Sequence, residues 1–277
     1  MVNAVYIIAA GLGAAFLLGL LKEEARTTAY GLTLAALAYM SGMAGSLLWT
    51  FAVDGSATYD VFMAGYEPPF AINLRVGLTE AALTLLVCLS GLMSAIYMKR
   101  SLLRLGRRAM SVLMILIMAL SGIILTRDVF NLFVFFELTV IATAGLVLLS
   151  ENDEAVGAGF KYLVISQVIS ILLLIGIIFA YHATGTLNID GMSEAALVTL
   201  KGGSIALFLM FIAVAAELKP FPANGWALDI YESAHPGFAA IFSAAMAGAA
   251  ALFAVDKLLL IGGPAWYPFA TAIGILS

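Results

Sequence analysis

Two charged residues stand where lipid would not tolerate either alone. Glu137 lies inside VFNLFVFFELTVIATAGLVLLS, residues 129–150, an apolar run long enough to cross a bilayer. It sits roughly 12 Å of helix rise from the start of that run. Lys219 closes a second apolar run and is followed at once by Pro220 and Pro222. A carboxylate at membrane depth costs roughly 3 kcal/mol or more, so it must face protein or a file of water and find a partner. An acid and a base held together in such a place can pass a proton. Burial favours the neutral forms and proximity favours the charged ones. Drawing the two apart in dry surroundings therefore tends to free a proton from the lysine, and bringing them together recaptures it.

Positioning such a pair requires a helix that stops inside the membrane. The stretch AAELKPFPANGWALDIYESAHPG supplies the breakers. Neither proline has an N–H, which is expected to leave the carbonyls of Ala216 and Leu218 without helical donors, and Asn224-Gly225 adds turn chemistry. If the helix resumes from Trp226 to Ala234, one interrupted span covers residues 203–234 with Lys219 near its middle. Broken backbone is tolerated at that depth where it is buried in protein or lines a cavity. The alternative is a short span followed by a loop over 219–236.

The composition fixes the surroundings. Hydrophobic residues make up 63% of the 277 and charged residues 11%, with a mean hydropathy of +1.08, which describes an all-α polytopic membrane bundle. No alternation of apolar and polar residues marks barrel strands. Apolar runs near 2–21, 28–53, 76–98, 109–126, 129–150, 160–182, 203–219 and 237–256 read as membrane spans, and a ninth begins near Tyr267 and stops at Ser277. That ending predicts half of a larger design, a split gene product or a truncated chain. The first run has no basic residue before Lys22, so it reads as a retained helix rather than a signal peptide. The loop KRSLLRLGRR, with Lys99, Arg100, Arg104, Arg107 and Arg108, places that end in the cytoplasm and the N-terminus outside a cell membrane. The Lys- and Arg-free segment from Asp54 to Pro69 then lies outside, and the acidic turn Glu151, Asp153, Glu154 inside. Topology accounts for the basic loop, so no nucleic-acid partner is expected.

Gly42 to Gly45 and Ala244 to Ala251 suit close helix packing. The 12 methionines and 17 phenylalanines read as core or lipid-facing filler, and the single cysteine, Cys88, as a small buried hydrophobe. No phosphate loop, metal spacing or haem-type histidine pair is present, so neither a cofactor nor a metal is expected, and no catalytic redox site lies in this chain.

The segments RDVFNLFVFFELTVIATAGLVLL and K-P-F-P with W-x-x-D resemble the antiporter-like subunits shared by respiratory complex I, Mrp-type cation/proton antiporters and energy-converting membrane-bound hydrogenases. PPFAINLRVGLTEAALTLL and KYLVISQVISILLLIGIIFAYHATG fit the same pattern. The resemblance implies an antiporter-like fold with helices 1–3 over residues 1–108, one five-helix repeat with a discontinuous seventh helix over 109–256, and the start of a ninth helix over 257–277. It assigns the fifth-helix glutamate to Glu137 and the broken-helix lysine to Lys219. It implies other membrane subunits as partners and protons or sodium as the ion. The chain departs from the pattern in several places. Ala247, Gly248, Ala249 and Ala250 occupy the region of the eighth-helix lysine, Tyr231 replaces a histidine, Gly77 stands where an acid is usual, and the second inverted repeat is expected to be absent beyond Ser277.

Other ionisable groups are candidates for a path. Glu80 either lines it or bonds a neighbouring helix. Glu217 is expected on a different helix face from Lys219, as a secondary contact. Lys161, with Gln167 beyond it, and His182 fall near opposite ends of the sixth span. Arg127 and Asp128 read as an interfacial pair, His235 as a cap, and Asp256 and Lys257 as a surface pair. Three functions follow: ion translocation within a membrane oxidoreductase or Mrp-type complex, a non-conducting structural subunit of one, or a self-sufficient carrier for a small organic solute.

Overall fold

The computed structural model describes residues 3–55, 57–66, 68, 70–149, 153–222 and 224–276. Ser150, Glu151, Pro69 and Ser277 lie outside them. Among the described residues twelve helices and one small hairpin follow in order: α1 (Val5–Leu20), α2 (Arg26–Asp54), β1 (Tyr59–Phe62), β2 (Asn73–Val76), α3 (Leu78–Tyr97), α4 (Lys99–Leu105), α5 (Arg107–Leu125), α6 (Val129–Leu148), α7 (Asp153–Thr184), α8 (Ile189–Glu194), α9 (Gly203–Ala216), α10 (Gly225–Ser233), α11 (Pro236–Gly262) and α12 (Tyr267–Leu276). Six of these helices are long and apolar enough to cross a membrane, and α1 and α9 are shorter apolar helices. The expected bundle is therefore present, with one departure from all-α: β1 and β2 pair antiparallel between α2 and α3.

The bundle is built around α5. Of its apolar window 78% is buried, against 33% for α2 and α7, so α5 is the axis and those two are flanks. Small residues set the close approaches. A Cβ on Gly122 of α5 would come within 2.4 Å of the Phe135 ring, and one on Gly176 of α7 would meet Met210 Cγ at 2.7 Å. Packing rather than hydrophobicity holds helices together in lipid, and glycine allows it. The expected Gly42 contact is not among these, since nothing lies within 4 Å of its would-be Cβ. From Ile241 to Ala251, the alanine-rich part of α11 widens its turns, so that the Leu252 N–H reaches the Ala247 carbonyl.

A lock of charges ties the hairpin end of the bundle together. Arg75 of β2 pairs with Asp60 of β1 and Asp190 of α8, each at 2.9 Å, and Arg127 pairs with Asp190 as well. Arg127 is only 4% exposed and Asp128 accepts the Asn131 N–H as the N-cap of α6, so the two do not pair with each other as expected. Burial alone would push the Asp190 carboxyl up, but Arg127 and Arg75 more than offset it and hold it below the ordinary carboxylate value. An acid so depressed stabilises above its unfolded value and stops doing so as pH falls through its folded one. Amide protection over Tyr59–Phe62 and Asn73–Val76, taken relative to the intrinsic exchange rate at each pH, is therefore expected to fall only as pH drops below the ordinary carboxylate range. Asp190→Asn should lower that protection at neutral pH and flatten its pH dependence.

The other pair placed at a span end is also overturned. Lys257 is 1% exposed while Asp256 is exposed. The Lys257 ammonium donates to the carbonyls of Ile123 (2.7 Å), Ile124 (2.7 Å) and Thr126 (2.6 Å), the C-terminal end of α5. A cation there satisfies carbonyls with no intrahelical donor and complements the helix dipole.

Candidate functional site

The interrupted seventh span is set by its own last turn. The amides of Glu217, Leu218 and Lys219 donate to carbonyls only three residues back, those of Val214, Ala215 and Ala216. The Ala216 carbonyl, expected to be orphaned, is thus satisfied by tightening of the turn. Lys219 then takes a left-handed φ of 57°, uncommon for a residue with a side chain, before Pro220 and a cis Phe221-Pro222 bond. The helix restarts as α10 at Gly225. At the far end of α10, His235 Nδ1 caps α11 and His235 Nε2 lies 3.0 Å from Ser101 of α4, in the basic loop. Burial and the Arg104 charge push that imidazole below its ordinary value, which suits a ring that accepts from the Gly237 N–H. The chain therefore continues through the bundle after Lys219 instead of leaving it.

The tightened turn places two charges inside. Glu217 is 3% exposed, and its Oε2 has no hydrogen-bond partner. Lys219 Nζ lies 3.3 Å from the Tyr231 hydroxyl and 3.5 Å from the Phe242 carbonyl, with the Tyr231 ring centroid at 5.4 Å. Glu137, half-buried on α6, accepts from Gln167 Nε2 of α7 at 3.0 Å. Among the described residues no ion pair within 4.0 Å joins Glu137 to Lys219. Instead Glu217 stands in the fields of both, Lys219 acting on it more strongly than Glu137. The secondary contact expected for Glu217 is not seen, since its Oε2 has no hydrogen-bond partner among the described residues.

Lys219 borders a cavity of about 220 Å³ lined by Leu218, Asn224, Tyr231, Ser243 and Ala247. That is ample for several waters. Ala247 marks the start of the region where the resembled family carries its eighth-helix lysine, so part of the space beside Lys219 that such a side chain could enter is open. Tyr231, in place of the histidine, supplies a hydroxyl to the ammonium.

The remaining candidates are placed elsewhere. Lys161 pairs with Asp229 at 2.5 Å, and both are exposed, which fastens α7 to α10 near the basic-loop end. Glu80 is buried in the first turn of α3, beside the hairpin. Its Oε2 lies 2.9 Å from where a Cβ on Gly77 would be, so Glu80 fills the space of an acid at that position. His182 is exposed in the last turn of α7, roughly 22 Å of helix rise beyond Gln167. The sequence reading missed Tyr162, Ser166 and Thr143. Tyr162 is fully buried on α7, packs against Trp226 with ring centroids 5.4 Å apart, and faces Glu217.

Comparison with known proteins agrees with this architecture. Residues 126–277 match the family described as "NADH:quinone oxidoreductase/Mrp antiporter, TM". The chain is 28% identical over 223 residues to a subunit of the Na(+)/H(+) antiporter of Bacillus subtilis, covering 79% of this chain and 45% of that one. It is 29% identical over 281 residues to a subunit of the NADH-quinone oxidoreductase of Rubrobacter xylanophilus, covering 98% and 56%. A chain of the membrane-bound sulfane sulfur reductase, an archaeal respiratory membrane complex, superposes with a TM-score of 0.87 at 26% identity, covering 99% of this chain and 56% of that one. A chain of the Mrp complex from Dietzia sp. shares the fold with a TM-score of 0.85 at 21% identity, covering 98% and 51%. The chain spans about half the length of these relatives.

Proposed function

Because this chain belongs to the NADH:quinone oxidoreductase/Mrp antiporter family, we propose that it is an ion-translocating subunit of a multisubunit membrane complex, moving protons or sodium by way of Glu137 and Lys219. One observation carries the reading: a lysine in left-handed backbone, at a helix break inside an apolar bundle, faces a polar cavity on one side and buried acid on the other. A strained residue at such a place marks function more often than accident. In this reading the basic loop lies in the cytoplasm and α4's neighbours present the pair to that side, with the N-terminus outside. Residues 109–256 form the first five-helix repeat, and other membrane subunits complete the path.

The mechanism needs only electrostatics and small movements. Glu137 and the Lys219 ammonium attract each other, and both act on Glu217. A neighbouring subunit that draws Glu137 away, against the hold of Gln167, weakens the field that keeps Lys219 protonated, and the proton leaves by the cavity at Tyr231 and Ser243. Return of Glu137 draws a proton back. Glu137→Gln removes the moving charge while keeping the bond to Gln167 possible. In the assembled complex reconstituted in liposomes, it is expected to slow ion movement by about tenfold or more. Unchanged movement would count against the reading.

A second reading, a structural or coupling subunit that does not conduct, is favoured by two observations: no direct ion pair within 4.0 Å between Glu137 and Lys219 among the described residues, and alanines and glycine over 247–250. It predicts that neither charge matters for transport while both variants still assemble.

A further inference from the structure

The movement of Glu137 and Lys219 leaves Glu217 unused, although it is the most deeply buried acid of the site at 3% exposure. Its Oε2 has no hydrogen-bond partner, and two hydroxyls nearby are in the same condition: Tyr162 Oη and Ser166 Oγ, one turn apart on α7. Thr143 and Ser166 approach the Tyr162 hydroxyl without completing a bond, and Tyr162 lies within electrostatic reach of Glu217 and of the Tyr231 hydroxyl. Three orphaned polar oxygens meeting between α7 and the broken span are not what a finished core looks like, because each one buried without a partner is destabilising. Hydroxyls set near a buried acid are groups that can hand a proton on once a rotamer change or a water joins them.

Charge counting points the same way. Two carboxylates, Glu137 and Glu217, share one ammonium, Lys219, so a fully ionised trio carries a net negative charge where burial penalises it. One added proton makes the trio neutral. We propose that Glu217 is the resident proton carrier of this site, holding a proton while Glu137 and Lys219 are both charged and passing it to Lys219 once that lysine has released its own. The step is a plain transfer: the O–H bond at Glu217 breaks, an N–H bond forms at Lys219, a carboxylic acid and an amine become a carboxylate and an ammonium, and no electrons move. Glu217 regains a proton from the Tyr162 and Ser166 side. A relay acid two residues from the lysine takes the part that a lysine on α11 cannot play here, where Ala247 and its neighbours carry no ionisable group. Lys219 at the break and Glu137 of α6 act on Glu217, and Glu217 in turn acts on Tyr162 of α7.

This inference rests on the ion-translocating reading, and the two fail differently. In the assembled complex in liposomes, Glu217→Gln is expected to cut ion movement at least tenfold and to erase the infrared band of a protonated carboxyl, which a carboxylate lacks. Glu217→Asp should restore part of the movement and shift that band. Tyr162→Phe should slow movement while leaving the band. Wild-type rates in Glu217→Gln, or a band that persists in it, would overturn the proposal while losses in Glu137→Gln and Lys219→Ala kept the reading. If Glu217→Gln does not assemble, a carboxyl band identical in wild type and Glu217→Asp would overturn it. Wild-type rates in both Glu137→Gln and Lys219→Ala would overturn the reading itself.

Discussion

In the assembled complex, Lys219→Ala is expected to abolish ion movement, lowering its initial rate by well over tenfold, a barrier of more than about 1.4 kcal/mol. The lysine is the one base at the helix break, its ammonium is held by the Tyr231 hydroxyl and the Phe242 carbonyl, and the cavity beside it is the visible way out. Alanine leaves Glu217 with no positive neighbour among the described residues and removes the group that changes protonation state in the proposed mechanism. Assembly should survive, since Lys219 is half-buried and its backbone bond to Ala216 is independent of the side chain. The measurement is ion uptake by liposomes carrying wild-type or variant complex at matched protein content. A rate equal to wild type would remove Lys219 from the mechanism.

The largest expected effect on stability falls elsewhere. Lys257→Met keeps the length and apolar stem of the side chain but strips the three carbonyls at the end of α5 of their shared donor. Interhelical hydrogen bonds in membranes are worth about 0.6 kcal/mol on average and at most about 1.7, so losing all three is expected to cost about 2–5 kcal/mol. The end of α5 adjoins Arg127 and the hairpin, so the variant should loosen that lock first. Reduced thermal stability in detergent, with faster exchange at Asn73–Val76, is the expected outcome. Wild-type stability would mean that water replaces the ammonium without loss.

How far the residues announced this arrangement depends on where the signal lies. Glu137 and Lys219 stand out because a charge inside an apolar run needs a partner or a cavity, and the paired prolines locate the break. Glu217 is misplaced by any reading that keeps a regular helix up to Lys219. The last turn tightens at Glu217 itself, whose N–H reaches the Val214 carbonyl, and the side chain ends up buried. Lys257 looks like the end of a span because two charges close the apolar run, yet LLLIG follows, and the helix continues to Gly262. Arg127 and Asp128 look paired because they are neighbours. Asp128 is extended, with φ −117° and ψ 126°, and neighbours in extended chain point to opposite sides. Tyr162 and Ser166 give no signal at all, since neutral residues in an apolar helix look like filler until their orphaned hydroxyls are seen together. The hairpin escapes notice because each strand is only four residues long.

The claim that matters most is that Glu137 and Lys219 act as one unit although no bond joins them. A double-mutant cycle on ion movement addresses it directly, with Glu137→Gln, Lys219→Ala and the pair together in the assembled complex. Groups that work as a unit are strongly non-additive. We predict that the double variant is no slower than Lys219→Ala alone. Losses that simply multiply would contradict the account, for they would mean two independent roles and no conversation between the acid on α6 and the base at the break.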